Sequence, residues 1–300
     1  MLTIAVSSRA LFHLEDEHRI FEEKGSEAFN AYMRENERVP LKPGPAFNLV
    51  RKLLALNACR GDSPGRDRVD VVLLSRNSPD AGMRIMQSIM HHKLDIIRAV
   101  FSQGADRFRY MTAFGVHLFL SLSAEDVLSA LEQGIAAAQL IPQESRIGED
   151  SVVRIAFDGD SVLFSDEAEQ LVMSEGLEAW KRSEIEKAHL PLDAGPFKGF
   201  ITELANLQAQ YPRERGPLRI GLFTARGVAV HERALNTLRT WGIRLDEALF
   251  SSGLPKGPFL KAFQADMFFD DTMHHVESAK AHDVPAGHVM RLLQEESKVA

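Results

Sequence analysis

Apolar residues fall in short unbroken runs, separated by longer stretches in which apolar positions recur every three or four residues. Short runs suit strands buried on both faces and the longer spacing suits amphipathic helices, so the pattern predicts α/β layers on mainly parallel sheets. A first set of strands is expected from Leu2 to Val6, Val69 to Leu74, Ala99 to Ser102 and Val116 to Leu120. A second set is expected from Val152 to Phe157, Leu218 to Phe223, Ala248 to Phe250 and Met267 to Phe269. Helices are expected from Phe47 to Asn57, Gly82 to His91, Ala124 to Ala138, Glu167 to Ser183, Pro196 to Gln210 and His231 to Trp241. The polar stretch from Ile141 to Ser151 contains a Pro and a Gly and reads as a linker between residues 1–140 and 151–300.

The two sets superpose. At an offset of 151 positions, Ile4-Ala5 meets Ile155-Ala156, Gly25 meets Gly176, Pro40-Leu41 meets Pro191-Leu192 and Gly44-Pro45 meets Gly195-Pro196. After one slip the offset becomes 149, pairing Arg84 with Arg233, Phe101-Ser102 with Phe250-Ser251, Ala113-Phe114 with Ala262-Phe263 and Phe119 with Phe268. Similar spacing alone would not bring identical dipeptides into one register, so the chain is expected to be two tandem Rossmann-like units.

Composition narrows the class. With 45% hydrophobic and 26% charged residues in 300, a disordered or fibrous chain is excluded. A formal charge of −7 offers no positive field for a polyanion, which argues against a nucleic-acid partner. The single cysteine, Cys59, can form neither an internal disulfide nor a Cys-rich metal site, and reads as a helix-end residue in a reducing compartment. No apolar run reaches the roughly 18 to 20 residues of a membrane span, and the opening MLTIAV lacks a basic leader. A soluble, cytoplasmic, unprocessed chain without a membrane partner is expected.

Chemistry concentrates in the second half. The apolar run Ile155 to Phe157 stops at Asp158-Gly159-Asp160, which puts carboxylates at the end of a parallel strand, where open α/β sheets bind ligands. The spacing lets one side chain and a nearby carbonyl share a hard cation. Three further segments repeat the arrangement of apolar strand or tight loop followed by a polar group: IGLFTAR with Thr224, LPKGPFL with Lys256, and DMFFDD with Asp270-Asp271.

In this order the segments resemble the four motifs of the haloacid dehalogenase (HAD-like) superfamily. That resemblance implies Asp158 as nucleophile and Asp160 as general acid/base. Thr224, with Ala225 and Arg226 beside it, and Lys256 would hold phosphate, and Asp158, Asp160, Asp270 and Asp271 would bind Mg²⁺. One departure is visible: where the superfamily often has Thr two places after the second Asp, this chain has Val162, preceded by Ser161. TIAVSSRALF, PGPAF, RIAFDGDSVLFSDE, GPFKGF, TARG, LRTWGIRLDEALF, PKGP and FFDDTMHHV together resemble the cytosolic type I 5'-nucleotidase family over nearly the whole chain. The expectation that follows is Mg²⁺-dependent hydrolysis of nucleoside 5'-monophosphates, typically AMP, in a homo-oligomer. The competing readings are a phosphatase or phosphotransferase for another small phosphoester, and a non-catalytic nucleotide-binding sensor.

The internal register makes its own forecast. Asp158 falls on Ser7, Asp160 on Arg9, Thr224 on Ser75, Lys256 on Arg107 and Asp270-Asp271 on Ser121-Leu122. Residues 1–140 are therefore expected to be a degenerate, non-catalytic copy. It either binds an anion, for example a nucleotide effector, through Ser7, Arg9, Ser75 and Arg107, with Ser8 and Arg76 nearby, or only packs on its twin. The segment from Asp166 to Gly216 reads as a small helical cap on the second unit. Phe157, Phe164, Trp180 and Phe197 read mainly as core, with base stacking as the alternative. His91-His92 and His274-His275 read as surface or capping residues, and Gly61 to Gly65 as a turn.

Overall fold

The computed structural model describes residues 1–58, 68–145, 147–148, 150–214 and 216–292; Cys59 and the expected turn at 61–65 lie outside them. Ten strands form one sheet: β1 (Leu2–Val6), β2 (Val69–Ser75), β3 (Arg98–Phe101), β4 (Leu118–Ser121), β5 (Ala136–Leu140), β6 (Val153–Phe157), β7 (Leu218–Thr224), β8 (Glu247–Phe250), β9 (Met267–Asp270) and β10 (Ala286–His288). Their spatial order is β8-β7-β6-β9-β10-β5-β4-β1-β2-β3. All neighbours are parallel except β10 and β5, which pair antiparallel with Gly287 opposite Leu140. The α/β class is as expected, but the two half-sheets are fused edge to edge into one.

Each half runs in the same strand order about its first strand. In the first, Val6 lies level with Leu73 on β2 and Leu120 on β4. In the second, Phe157 lies level with Leu222 on β7 and Phe269 on β9. These are the residues that the two sequence offsets pair. The hydrogen bonds repeat as well: Ser7 N donates to Leu120 O and Asp158 N to Phe269 O, at 2.9 and 2.8 Å. Because β1, β2, β4, β6, β7 and β9 are covered by helices on both faces, their side chains are almost all buried, which explains runs without polar alternation.

The structure differs from the pattern in four places. The helix expected from Ala124 to Ala138 ends at Glu132, because Gly134 adopts a left-handed φ of 73° and the chain turns back as β5. Its Ala-rich sequence mimics a continuing helix, whereas pairing with β4 decides for strand. Strand β10 is three residues long and has no periodicity to read. The helix expected from Glu167 to Ser183 is two, Glu167–Glu175 and Leu177–Glu186, broken at Gly176 with φ 89°. The first half carries a matching element that the pattern does not mark: helix Glu15–Glu35, kinked at Gly25 with φ 80° and burying only Glu17 and Met33.

Both Gly-Pro turns serve one packing need. Gly44 and Gly195 press against the loop that follows the first strand of their half, where Gly195 N donates to Leu163 O at 2.8 Å and Gly44 N to Leu11 O at 2.9 Å. A Cβ on Gly195 would sit 2.3 Å from the main-chain oxygen of Phe164 and 2.6 Å from that of Val162. Neither oxygen can yield without moving the loop that carries Asp160. Gly195→Ala is expected to cost about 3 kcal/mol, the upper end of overpacking, and to lower the thermal midpoint by roughly 5 °C or more. An unchanged melting curve would show that this loop is softer than its packing indicates.

Candidate active site

The site stands at the C-terminal ends of β6, β7 and β9. Asp158 follows β6 directly and enters a tight π-type turn over Gly159–Leu163, in which Ser161 takes a left-handed φ of 61°. Gly159 is closely packed: a Cβ there would meet the Phe164 ring at 3.2 Å, tighter than an ordinary contact. Thr224 ends β7 and is buried, its hydroxyl accepting Arg226 N at 3.1 Å. Lys256 caps the helix Gly257–Phe263 and is fully buried. Asp270 closes β9, also without exposure, and accepts Thr272 N at 2.8 Å.

Lys256 Nζ lies 2.9 Å from Asp158 Oδ1 and 2.6 Å from Asp270 Oδ2. One cation thus serves two buried acids, while Asp271 stands beside them. Burial, with the Asp160 and Asp271 charges, outweighs the lysine and pushes Asp158 above the ordinary carboxylate range. Burial and the neighbouring Asp158 push Asp270 up to about 8. Burial alone would lower Lys256, but Asp158 and Asp270 overcome it and hold the ammonium charged.

Among the described residues, Asp158, Asp270 and Asp271 each offer an oxygen within 4.8 Å of the others. Asp158 Oδ1 is buried and, although close to Lys256, has no donor aligned on it. An all-carboxylate set with an orphaned oxygen, in which Lys256 on Asp158 and Asp270 and the more exposed Arg291 on Asp271 leave one negative charge unbalanced, fits a hard divalent cation and not a soft one. The linkage sign follows from Asp270. Its folded value of about 8 exceeds the ordinary 3.8, so in metal-free protein its contribution to stability is full below about pH 4 and is lost as pH rises through 8. A divalent cation removes the cause. Mg²⁺ is therefore expected to raise the unfolding midpoint by several degrees at pH 8.5 and by much less at pH 5. Equal Mg²⁺ shifts at both pH values, in a calorimetric titration, would contradict this.

Asp160 is held apart from the three acids. Arg226 grips it with Nε to Oδ2 at 2.9 Å and Nη2 to Oδ1 at 2.7 Å, and spends Nη1 on Glu184. Arg226, expected beside phosphate, is thus fully engaged with protein acids here, while Ala225 is exposed at the strand end. Glu184, buried on helix Leu177–Glu186, also binds Arg233 Nη1 at 2.8 Å, and Trp180 of that helix stacks over Arg226 at 5.4 Å. The acid/base candidate is tied to helix Leu177–Glu186 through one arginine. Glu184 carries no local mark in the sequence, since its partners are 42 and 49 positions away.

Other expectations resolve individually. Phe157, Phe164 and Phe197 are fully buried in the core and cannot reach a base, while Trp180 is buried in a separate small cluster with Ala168 and Val230. His92 caps its helix and its ring donates to Leu41 O at 2.8 Å. His275 is not a surface residue: it is half-buried, and burial together with Lys256 lowers it to about 4. In the first half, Arg107 pairs with Asp126 and Arg9 with Glu15, and Ser7 caps the turn that follows β1 by accepting Ala10 N at 3.2 Å. Ser75 is buried with its hydroxyl 3.3 Å from that of Ser8.

A Rossmann-type sheet with acids and a lysine at its carboxyl edge is an α/β ligand site equipped to hold a cation and a phosphate. Comparison specifies it: the 5'-nucleotidase family profile matches residues 1–296, and the chain belongs to that family. It is 39% identical over 287 residues to human cytosolic 5'-nucleotidase 1B, covering 93% of this chain and 47% of that protein. The chain spans about half the length of that relative. No solved structure matches it. No helix among the described residues is long and apolar enough to cross a membrane.

Proposed function

We propose that the chain is a Mg²⁺-dependent phosphomonoesterase that hydrolyses nucleoside 5'-monophosphates, AMP-type substrates foremost, to nucleoside and phosphate. The observation that carries this reading is the buried Asp158–Lys256–Asp270 cluster, with Asp271 beside it, in a member of the 5'-nucleotidase family. The cytosolic relative supports a cytoplasmic setting.

Asp158, Asp270 and Asp271, with the Asp160 carbonyl, would hold Mg²⁺, which supplies charge neutralisation for an incoming phosphate. Without compensation a carboxylate meeting a phosphate oxygen at 4 Å faces about 4 kcal/mol of repulsion per charge pair at an effective dielectric near 20. Lys256 lies against the attacking oxygen and lowers that cost. A carboxylate oxygen of Asp158 bonds to phosphorus as the bond from phosphorus to the ribose 5'-oxygen breaks, and Asp160 delivers the proton to the departing oxygen. Water then adds to phosphorus, giving its proton to Asp160, and the bond to Asp158 breaks. Arg226 occupies both Asp160 oxygens, so it must release them before Asp160 can carry a proton; the phosphate is the stronger acceptor to which the guanidinium can transfer.

Residues 1–140 are read as a non-catalytic copy. Ser7, Arg9, Ser121 and Leu122 stand where the second half has its acids, so none of those acids has a carboxylate at its own counterpart position. The direct test is phosphate release from a panel of nucleoside monophosphates and sugar phosphates, with and without Mg²⁺. Selective, Mg²⁺-dependent release from a nucleotide supports the reading, and release from sugar phosphates alone would replace it.

A further inference from the structure

The first half encloses a cavity of about 720 Å³ at the C-terminal ends of β1 and β4, the position that the active site holds in the second half. That volume suits a drug-sized or nucleotide-sized ligand. Its polar wall includes Arg9, Arg76, Asn77, Arg107 and Ser123, and its opposite wall includes Phe21 and Phe29 from the kinked helix Glu15–Glu35.

Two donors there have no partner in the protein. Arg107 is 2% exposed and its Nε makes no hydrogen bond, and the buried Nδ2 of Asn77 makes none either. Unpaired buried donors are uncommon in folded proteins, so these two mark a wall whose polar groups the protein itself does not satisfy. Two helices of more than eight residues, Pro79–His91 and Ala124–Glu132, begin at the same wall behind their capping Ser78 and Ser123, adding the positive ends of their dipoles. Asp126 bridges Arg76 and Arg107 and accepts from Ser121 at 3.2 Å, so it fixes the guanidinium groups in place. Three arginines face one carboxylate within the lining; Glu15 and Glu125, which pair with Arg9 and Arg76, lie outside it and are more exposed than Asp126, where exchanging a partner costs little. Across the cavity, the Phe21 and Phe29 rings stand edge to face at 6.1 Å, and His18 stacks on Phe21 at 6.3 Å.

We propose that this cavity is a second ligand site for a mononucleotide, with the phosphate at Arg9, Asn77 and Arg107 and the base against Phe21 and Phe29. Ser75, which the sequence register places in the site, does not line it. The choice of a nucleoside as the non-phosphate part rests on the family reading; the anion half stands on the lining alone.

The experiment counts AMP molecules per chain by calorimetry on full-length Asp158→Asn protein, with inorganic phosphate and adenosine as separate probes. Asn77→Ala removes an amide that bonds nothing in the protein, and Arg9→Ala removes a half-exposed ion pair, so both leave folding intact. Two AMP per chain are expected, falling to one in the Arg9→Ala/Asn77→Ala background, with phosphate and adenosine at least tenfold weaker. If the catalytic reading fails, one AMP binds and the double variant abolishes it. A single AMP untouched by the double variant overturns the second site, and inorganic phosphate binding as tightly as AMP overturns its nucleoside half.

Discussion

Asp158→Asn is expected to lower phosphate release by about 10⁴-fold or more, equivalent to roughly 5.4 kcal/mol of barrier. The amide keeps the shape of the carboxylate but cannot attack phosphorus, and it takes one negative charge from the side chains that would hold the cation. The change is stabilising to the resting protein. Asp158 is buried beside Asp270 and Asp271, and removing one charge relieves repulsion that Lys256 only partly balances. Loss of turnover with a maintained or raised melting midpoint is the joint signature. Release that persists in Asp158→Asn would remove the aspartyl-phosphate route, whatever the fold.

Lys256→Met is expected to be the most damaging substitution for stability. The ammonium is completely buried, hydrogen-bonded to Asp270 and ion-paired with Asp158. Methionine retains much of the stem volume, so the loss is electrostatic: two buried acids are left without a cation. Breaking a buried pair from one side costs about 3–5 kcal/mol, enough to lower the midpoint markedly. Mg²⁺ can replace part of the missing charge, so the variant's midpoint is expected to rise with Mg²⁺ by more than the wild type's does. A variant that melts normally and ignores Mg²⁺ would show that the acids are not charged in the resting protein. Activity falls too, because Lys256 sits against the nucleophile oxygen.

Much of this site was legible along the chain. Asp158, Thr224 and Asp270 each terminate or directly follow an apolar run, and a strand buried on both faces must deliver the first polar residue after it to the sheet edge. The internal register was legible for a related reason: Gly44 and Gly195 face main-chain atoms at which no side chain fits, so both copies retain the glycine. Ala136–Leu140 was not legible, because alanine favours helix locally and only pairing with β4 makes it a strand. The helix Glu15–Glu35 was hidden because it buries little and so leaves no apolar stripe.

The sequence by itself determined the α/β class, the two-copy register and the identity and order of the acids and lysine, because each depends on local hydrophobic period or on a residue type at a strand end. Tertiary structure alone decided how these combine. The antiparallel contact of Gly287 with Leu140 fuses the halves into one sheet, Glu184 ties Arg226 and hence Asp160 to helix Leu177–Glu186, and Arg107 is left with an unpaired, buried Nε in the wall of a cavity. Each of these joins residues far apart in the chain, and such contacts are set by packing geometry that no local pattern encodes.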